Sequence, residues 1–385
     1  MSVDLILLSI SLFTWGIGEG MFTYFQPIYL QQLGANTMTI AVVFSFFGLA
    51  MMLAHIPAGY LADRIGRKPL LVAAWVAGLL AAWVMALART LPVFVAGMLF
   101  YGFTAFVSAP MNSYITSARG KLSLVRSMTL VSAAYNFGAV LGPISGGWIA
   151  HRYGLQRIYV ISACIFIVST AILLFLRKQA REIHDPSAPP TSLWQNKRLV
   201  SFLGIIFLAM FVMYLPQPLT PRFLQNERAL SLETIGLLGS VGSLGNSLVA
   251  LAVGQLAARS GFLLVQVSVA VFSLLLWKGT GLPWYMLGYF LLGGFRSARS
   301  FIMALIRPLI HPAQMGLAYG VAETFSALGV MLAPLLAGVL YTKDPPLVYP
   351  VSVGLLGVMV VVSGFFAPRL ATHGEQMTVI TPPEV

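Results

Sequence analysis

Long runs of apolar residues, separated by short polar breaks, repeat along the whole chain. Each run holds about 20 residues, the length that an α-helix needs to cross the hydrocarbon core of a bilayer. The runs lack the alternation at every second residue that transmembrane β-strands show. The pattern predicts twelve membrane-spanning helices, at residues 4–32, 38–61, 69–88, 91–118, 126–150, 157–176, 199–224, 232–257, 262–280, 283–307, 313–341 and 346–367.

The composition agrees with a polytopic membrane protein. Of the 385 residues, 58% are hydrophobic and 9% are charged, and the mean hydropathy is +0.86. A soluble protein of this length needs a larger polar share to cover its surface. The apolar run at the N-terminus has no basic leader and continues past Gly16. We therefore expect the first helix to be retained rather than cleaved as a signal peptide.

The net charge of +12 follows the predicted topology. If the N-terminus is cytoplasmic, the loops and tail on that side hold fourteen basic residues, and the loops on the other side hold seven. This bias obeys the positive-inside rule and places both termini in the cytoplasm. The charge therefore indicates orientation in a lipid bilayer, and we expect no nucleic-acid partner.

The second half of the chain is a divergent copy of the first. Residues 254–261, GQLAARSG, repeat the pattern Gly-x-Leu-Ala-x-Arg-x-Gly of residues 59–66, and the segment around Pro143 returns around Pro334. Parallel six-helix repeats are one of the known plans for transporters. We expect an N-terminal bundle at 1–176, a cytoplasmic linker at 177–198, a C-terminal bundle at 199–368 and a disordered cytoplasmic tail at 369–385.

The loop between the second and third predicted helices carries a dense set of charges. Its sequence, GYLADRIGRKPLL, matches the pattern Gly-x-Leu-Ala-Asp-Arg-x-Gly-Arg-Lys-x-x-Leu at every fixed position. With the twelve spans and the repeated halves, this signature resembles the major facilitator superfamily of transporters. The resemblance implies an all-α membrane fold of twelve helices in two parallel pseudo-symmetric halves. It also implies a conformational latch in this loop, formed by Gly59, Asp63, Arg64, Gly66 and Arg67.

A second motif lies in the fifth predicted helix. The segment GAVLGPISGG resembles a pattern associated with exporters and antiporters of the same superfamily. Glycines allow close helix packing, and a proline frees a carbonyl and bends the helix. Thr129 replaces one consensus glycine, and Met98 stands where relatives have an arginine linked to proton transfer, so coupling must be sought elsewhere. We interpret the motif as a hinge formed by Gly138, Gly142, Pro143, Gly146 and Gly147.

Four charged side chains are predicted deep in the membrane, where charge is costly and is a sign of function. They are Glu19, Arg296, Arg299 and Glu323. The two carboxylates are candidates for binding protons or substrate, because protonation would break an ion pair and change the preferred conformation. The alternative is a structural network in which the arginines pair with the carboxylates.

Polar residues also follow one face of several apolar helices. They are Thr104, Ser108 and Asn112 in the fourth helix, Gln26 in the first, and Tyr214 and Gln217 in the seventh. In the superfamily, helices one, four, seven and ten line a central cavity. The resemblance therefore implies that these residues face a substrate, and hydrogen bonding between helices is the alternative.

These features predict a monomeric secondary active transporter that works by alternating access in a bacterial cytoplasmic membrane. The leading hypothesis is proton-coupled efflux of a hydrophobic or amphipathic small molecule. The alternative is uptake or exchange of an organic anion on Arg296 and Arg299, and a non-transporting sensor or a lipid scramblase is more remote. The sequence has no carboxylate dyad, Ser/His pair, metal cluster or nucleotide-binding motif that favours an enzyme or a cofactor. Cys164 is the single cysteine, which excludes an intramolecular disulfide.

Overall fold

The computed structural model describes residues 2–179, 193–253, 256–310 and 315–368, without the side chains of residues 55–65, 109, 124–125, 250–251, 253 and 316. Most of the predicted linker and the whole predicted tail lie outside the described residues. Regular structure in the described ranges is helical throughout. The α-helices are α1 (Val3–Thr23), α2 (Gln26–Gln32), α3 (Thr37–Ile65), α4 (Arg67–Leu87), α5 (Leu91–Phe103), α6 (Ser108–Ala118), α7 (Leu124–Tyr153), α8 (Leu155–Leu174), α9 (Lys197–Tyr214), α10 (Thr220–Asn226), α11 (Leu232–Val253), α12 (Ala258–Lys278), α13 (Leu282–Leu292), α14 (Ala298–Ile306), α15 (Met315–Lys343) and α16 (Val348–Phe366).

The predicted all-α membrane fold is confirmed. Among the described residues, nine helices are long and apolar enough to cross a membrane, or ten if the pair Leu91–Val107 and Pro110–Ala118, bent by 41°, forms one span. The long helices α7 and α11 occupy the two remaining positions, so the fold has the twelve helix positions that the apolar pattern predicts.

The first and seventh predicted spans each end in a short separate helix. A break at Tyr24 and Phe25 separates α1 from α2, and residues 215–219 separate α9 from α10. Pro27 and Pro221 stand in the first turn of the two short helices, where the missing N–H of proline leaves no intrahelical bond unmade. The two halves of the chain therefore repeat this break as well as the helix order.

The fourth and tenth predicted spans each contain a break in the α-helix, which the apolar pattern did not indicate. A 3-10 turn at Thr104–Val107 joins α5 to α6, and another at Gly293–Ser297 joins α13 to α14. Pro110 has no N–H to donate to the preceding turn, and paired glycines at 293–294 have low helix propensity. Both helices are therefore loosened at corresponding positions, and Thr104 and Arg296 lie at these turns.

The helices of each half pack against one another, and the halves meet along two helix pairs. In the N-terminal half, α1 packs against α7 and α8, and α4 packs against α5 and α8. In the C-terminal half, α9 packs against α15 and α16, and α12 packs against α13 and α16. The contacts between halves run along α7 with α11 and along α3 with α15. These two seams enclose the centre of the molecule.

Two ends of the bundle are used below as landmarks. At the end that we call the terminal face, Asp4 accepts a hydrogen bond from the backbone N–H of Arg177 at 2.9 Å, and Tyr114 donates to the Arg177 carbonyl at 2.9 Å. The opposite end, which we call the far face, holds α2, α10 and the starts of α3 and α11. The N-terminus and the end of α8 thus share one face, as an even number of spans requires.

Candidate functional site

A cavity of about 690 Å³ lies between the two halves. Pockets of this size hold a drug-sized molecule. Its walls come from helices α1 to α7 of one half, from α9, α10, α11, α13 and α14 of the other, and from the two 3-10 turns. Nine of the ten predicted substrate or proton residues line it: Glu19, Gln26, Thr104, Ser108, Asn112, Tyr214, Gln217, Arg296 and Arg299.

The tenth residue, Glu323, is not among the residues that line the cavity. It lies on α15 and forms an ion pair with Nε of Arg299 on α14. The Arg299 side chain is 49% exposed and the Glu323 side chain is 19% exposed, so the arginine faces the cavity from the open side of the pair. Glu323 therefore contacts a residue that lines the cavity, Arg299, without lining the cavity itself.

Glu19 meets a charge from the other half of the molecule. The hydroxyl of Tyr135 on α7 donates a hydrogen bond to Oε2 of Glu19 on α1 at 2.9 Å. Arg296, at the α13–α14 turn, lies close enough to interact electrostatically with both Glu19 and Tyr135. A carboxylate, a phenol and a guanidinium thus form one cluster that crosses the cavity.

Aromatic side chains of the N-terminal half surround Glu19 on the side away from Arg296. Trp15 donates its indole N–H to the Tyr101 hydroxyl at 3.2 Å, and the Trp15 ring stacks on Phe166 with centroids 3.9 Å apart. Trp15 and Tyr101 both interact with the Glu19 carboxylate. Buried rings have few alternative positions, so this packing fixes the place of the carboxylate in the cavity wall.

The glycines of the predicted hinge bring α7 into backbone contact with α1. A Cβ added at Gly138 would lie 2.1 Å from the Phe13 carbonyl oxygen, and one added at Gly142 would lie 2.5 Å from that of Ile17. A Cβ added at Gly146 would lie 2.3 Å from the Met21 carbonyl oxygen. Only a residue without a side chain fits these positions. The two helices therefore pack as a single unit.

The remaining hinge residues face α11 of the other half. A Cβ at Gly147 would lie 2.7 Å from the Leu232 carbonyl oxygen, and one at Gly236 would lie 2.4 Å from the Pro143 carbonyl oxygen. This part of the interface lies near the end of α7 and the start of α11, which is the far face. The halves are thus closed against each other there.

A serine of α11 enters the hydrogen-bond ladder of α7 just beyond the proline. The Ser240 hydroxyl donates to the Val140 carbonyl at 2.6 Å and accepts from the Ile144 N–H at 3.0 Å. These two backbone groups are spaced to pair with each other in an α-helix. Ser240 thus bridges them from the opposite half.

Two further polar contacts close the far face. Arg222 on α10 donates from Nη1 to the Thr37 hydroxyl at the start of α3 at 2.6 Å, and its guanidinium carbon lies 5.3 Å from the ring centre of Tyr341. Asn226 donates to Oε1 of Gln31 at 3.1 Å. Both hydrogen bonds join the C-terminal half to the N-terminal half.

The cavity extends from this closure towards the terminal face. Asn246 on α11 donates to Oδ1 of Asn136 on α7 at 3.0 Å near the middle of both helices. Closer to the terminal face, the cavity is lined by Asn112, Ile115 and Met128. The structure therefore represents a state that is closed at the far face.

The charged loop of the sequence signature lies at the terminal face. Gly66, between α3 and α4, has a φ of +93°, which disfavours any residue with a side chain. Arg67 donates to the hydroxyl of Ser117 and, at 3.4 Å, to the side chain of Gln179. For the predicted latch, the side chains of Asp63 and Arg64 and the surroundings of Gly59 lie outside what the structure describes.

Four polar residues of the interface between the halves are missing from the sequence-based set. They are Tyr135, Asn136, Ser240 and Asn246. Tyr135 and Asn136 lie just before the glycine motif, on a helix that also carries Ser127, Ser132 and Ser145. That adjacent polar pair was the available signal. The partners of Ser240 are backbone groups, which no side-chain pattern indicates.

Comparison with known proteins gives a family and several relatives. The family profile described as Major Facilitator Superfamily matches residues 8–293 and residues 202–378. An uncharacterised transporter of this type from Methanocaldococcus jannaschii is 30% identical over 164 residues, and the match covers 42% of each protein. The quinolone resistance protein NorA of Staphylococcus aureus is 23% identical over 391 residues, which are 94% of this chain and 96% of NorA. The chain thus matches less than half of the first relative and nearly all of the second.

The fold also resembles solved structures. A crystal structure of a mutant of the nucleoside transporter NupG superposes with a TM-score of 0.79 over 94% of this chain and 99% of NupG. The two sequences are 15% identical, so this likeness concerns the fold alone.

Proposed function

Because this chain belongs to the Major Facilitator Superfamily and is a multi-pass membrane transporter of small molecules, we propose that it couples the efflux of a hydrophobic or amphipathic small molecule to protons. In this proposal the two halves rock about the central cavity, which opens to one face at a time. Glu19 is the group that takes up and releases the proton.

The observation that carries the proposal is the position of Glu19. Its carboxylate lies in the cavity wall and interacts with Arg296, which belongs to the half that must move relative to it. Loss of the negative charge on protonation would remove an attraction between the halves. A proton can therefore bias the conformational equilibrium from this site, as a two-state mechanism requires.

The lining of the cavity supports an amphipathic substrate. Eleven aromatic side chains, among them Trp75, Tyr214 and Phe295, contribute to the walls. Aromatic walls with a small number of polar groups favour apolar molecules that carry one or two polar substituents. The length of the match to NorA, which is a quinolone resistance protein by name, supports the same class.

We assign the terminal face to the cytoplasm, which follows the distribution of basic residues in the sequence. The described state is then open inwards, and both termini are cytoplasmic. A bacterial inner membrane is the proposed location. In the opposite state, the charged loop with Asp63 would latch the halves at the terminal face while the seam between α7 and α11 separates.

A second candidate is uptake or exchange of an organic anion. It is favoured by one observation, namely that two guanidinium groups, of Arg296 and Arg299, line the same cavity. The pairing of Arg299 with Glu323 weighs against it, because a neutralised arginine attracts an anion less strongly.

The test is transport into proteoliposomes with and without an imposed pH gradient. The probes are ethidium as a lipophilic cation, norfloxacin as a quinolone and benzoate as an organic anion. We expect a pH gradient to drive ethidium or norfloxacin in wild type, and Glu19→Gln to abolish that dependence. Glu227→Gln makes the same change at an exposed carboxylate outside the cavity and should behave as wild type.

Two outcomes would contradict the proposal. Full gradient dependence in Glu19→Gln would remove Glu19 from the coupling mechanism. Selective movement of benzoate, abolished by Arg299→Gln in a folded protein, would establish the anion carrier instead.

A further inference from the structure

Tyr135 contacts the proposed proton site, Glu19, and also lies beside Arg296 of the opposite half. Its hydroxyl lies 2.9 Å from Oε2 of Glu19. Its own backbone is pressed against α1, since a Cβ added at Gly16 would lie 2.3 Å from the Tyr135 carbonyl oxygen. Tyr135 and Glu19 therefore stay together when the halves move. Arg296 belongs to the other half, so its distance from them changes with the conformation.

The chemistry of the three groups gives their hydrogen bonds a direction. A phenol hydroxyl has one proton to donate and lone pairs to accept, whereas a guanidinium only donates. The Tyr135 hydroxyl donates a hydrogen bond to Glu19, so its oxygen can accept a hydrogen bond from the neighbouring guanidinium of Arg296. The resulting chain runs from Arg296 through Tyr135 to a charged Glu19.

Protonation of Glu19 would weaken both links of this chain. Hydrogen bonds to an ionised acceptor are roughly twice as strong as those between neutral groups. A neutral carboxyl group also leaves the charge of Arg296 without its opposite. The attraction between the halves at this point would therefore fall in one step.

Three of the other groups that face the cluster interact with a residue of their own half, and a fourth interacts across the halves. Trp15 and Tyr101 face Glu19 from within the N-terminal half. Tyr214 faces Arg296 from within the C-terminal half. Tyr24, at the end of α1, also interacts with Arg296. Tyr135 combines a hydrogen bond to the Glu19 carboxylate, at 2.9 Å, with a position beside Arg296.

We infer that Tyr135 is a positioning residue that links Glu19 to Arg296 across the cavity and sets the pH at which the transporter changes conformation. The inference rests on the proposed proton coupling through Glu19. Tyr135 is not itself required to carry the proton or to touch the substrate. Removing its hydroxyl should therefore move the pH profile rather than abolish transport.

The experiment measures closure of the far face against pH, without any substrate. Spin labels replace Gln31 and Asn226, whose side chains are hydrogen-bonded across the halves, in a background carrying Cys164→Ser. Their distance distribution in lipid nanodiscs gives the closed fraction between about pH 5 and pH 9. We expect a pH-dependent closed fraction in wild type and a pH-independent one in Glu19→Gln.

Tyr135→Phe should raise the midpoint of this profile by about one pH unit, which is a tenfold change in proton affinity. The sign follows because the charged carboxylate loses a hydrogen bond and accepts a proton at higher pH. Substitution of Tyr135 by a fluorinated tyrosine keeps the ring and strengthens the donor, so it should lower the midpoint. Opposite shifts from these two variants would not result from a general loss of packing.

A double-mutant cycle tests the link to the other half. Arg296→Gln should raise the midpoint too, and its effect should combine with Tyr135→Phe to less than the sum of the two. The matched control is Tyr101→Phe, whose effect should add to that of Arg296→Gln because Tyr101 faces Glu19 from within one half.

The possible failures can be told apart. A wild-type closed fraction that ignores pH would overturn the proposed coupling and this inference with it. Normal pH dependence that is lost in Glu19→Gln and unchanged in both Tyr135 variants would overturn the inference alone. Fully additive shifts of Tyr135→Phe and Arg296→Gln would overturn the link between the halves.

Discussion

The hydroxyl of Ser240 donates to the carbonyl oxygen of Val140 at 2.6 Å, and these two residues belong to opposite halves of the protein. Val140 lies three residues before Pro143, in the part of α7 where the proline has removed a backbone donor. A side chain that enters the ladder of a helix is a recognised cause of kinks. The shape of α7 and the closure of the far face therefore depend on the same contact.

Ser240→Ala should shift the protein towards opening at the far face. The substitution removes one side-chain bridge and leaves two backbone groups to rearrange, an effect of about 1–3 kcal/mol for a lost buried hydrogen bond. The distance between labels at Gln31 and Asn226 measures it. Ser247→Ala is the matched control on the same helix, because Ser247 bonds only to the carbonyl of Ser243 among the contacts described. Equal distances in both variants would show that the bridge does not hold the closure.

Gly138→Ala should destabilise the N-terminal half strongly. The new Cβ would lie 2.1 Å from the Phe13 carbonyl oxygen, so two helix backbones must separate. Overpacking of this kind costs about 1–3 kcal/mol or more. The melting temperature of the purified protein should fall, whereas Gly204→Ala, at a helical glycine with open space around it, should leave it unchanged or raise it. Similar melting temperatures for the two variants would contradict the close packing of α1 and α7.

Exchanging the two charges of the Arg299–Glu323 pair should restore the stability that each single charge reversal removes. Arg299→Glu places two carboxylates face to face, and Glu323→Arg does the same with two guanidiniums. Each single variant should lose stability, since an unpaired charge at a partly buried site is costly. The double variant should recover most of the melting temperature. A double variant as unstable as the worse single one would mean that the pair does not stabilise the junction of α14 and α15.

Asp63→Asn should impair the conformational change and leave the protein folded and inserted. The expectation follows from the signature of the charged loop, in which this carboxylate is the proposed latch of the state opposite to the one described. Transport rates and the accessibility of both faces to thiol reagents provide the measurement. Asp344→Asn, the same substitution at the far face, is the control. Unchanged transport and accessibility in Asp63→Asn would remove the latch assignment.

Much of the architecture could be predicted because membrane helices carry their own signal. Apolar length fixes the number of spans, and the polar residues at intervals of four in the fourth span, such as Thr104 and Ser108, lie on the cavity as the resemblance implied. The 3-10 turns in the fourth and tenth spans were not predicted. They interrupt runs whose apolar character is continuous, so hydropathy alone cannot reveal them.

The partners within the site were less accessible to sequence reasoning. Four intramembrane charges could pair in more than one way, and the observed pairing of Arg299 with Glu323 depends on the packing of α14 against α15. Tyr135 and Ser240 act through distances between helices that are far apart in the chain. Such distances depend on how closely glycines allow α7 to approach its neighbours, which is a property of the assembled bundle.

The charge balance of the cavity cluster has an electrical consequence. Arg299 is offset by Glu323 and Arg296 by Glu19, so these four intramembrane groups sum to zero when all are ionised. One elementary charge moved through a membrane potential of 100 mV involves about 2.3 kcal/mol. A neutral cluster contributes little to that work when the empty protein reorients. In the proposed proton-coupled cycle, the voltage across the membrane would then act on the proton and the cargo, and their charges would decide whether the cycle generates current.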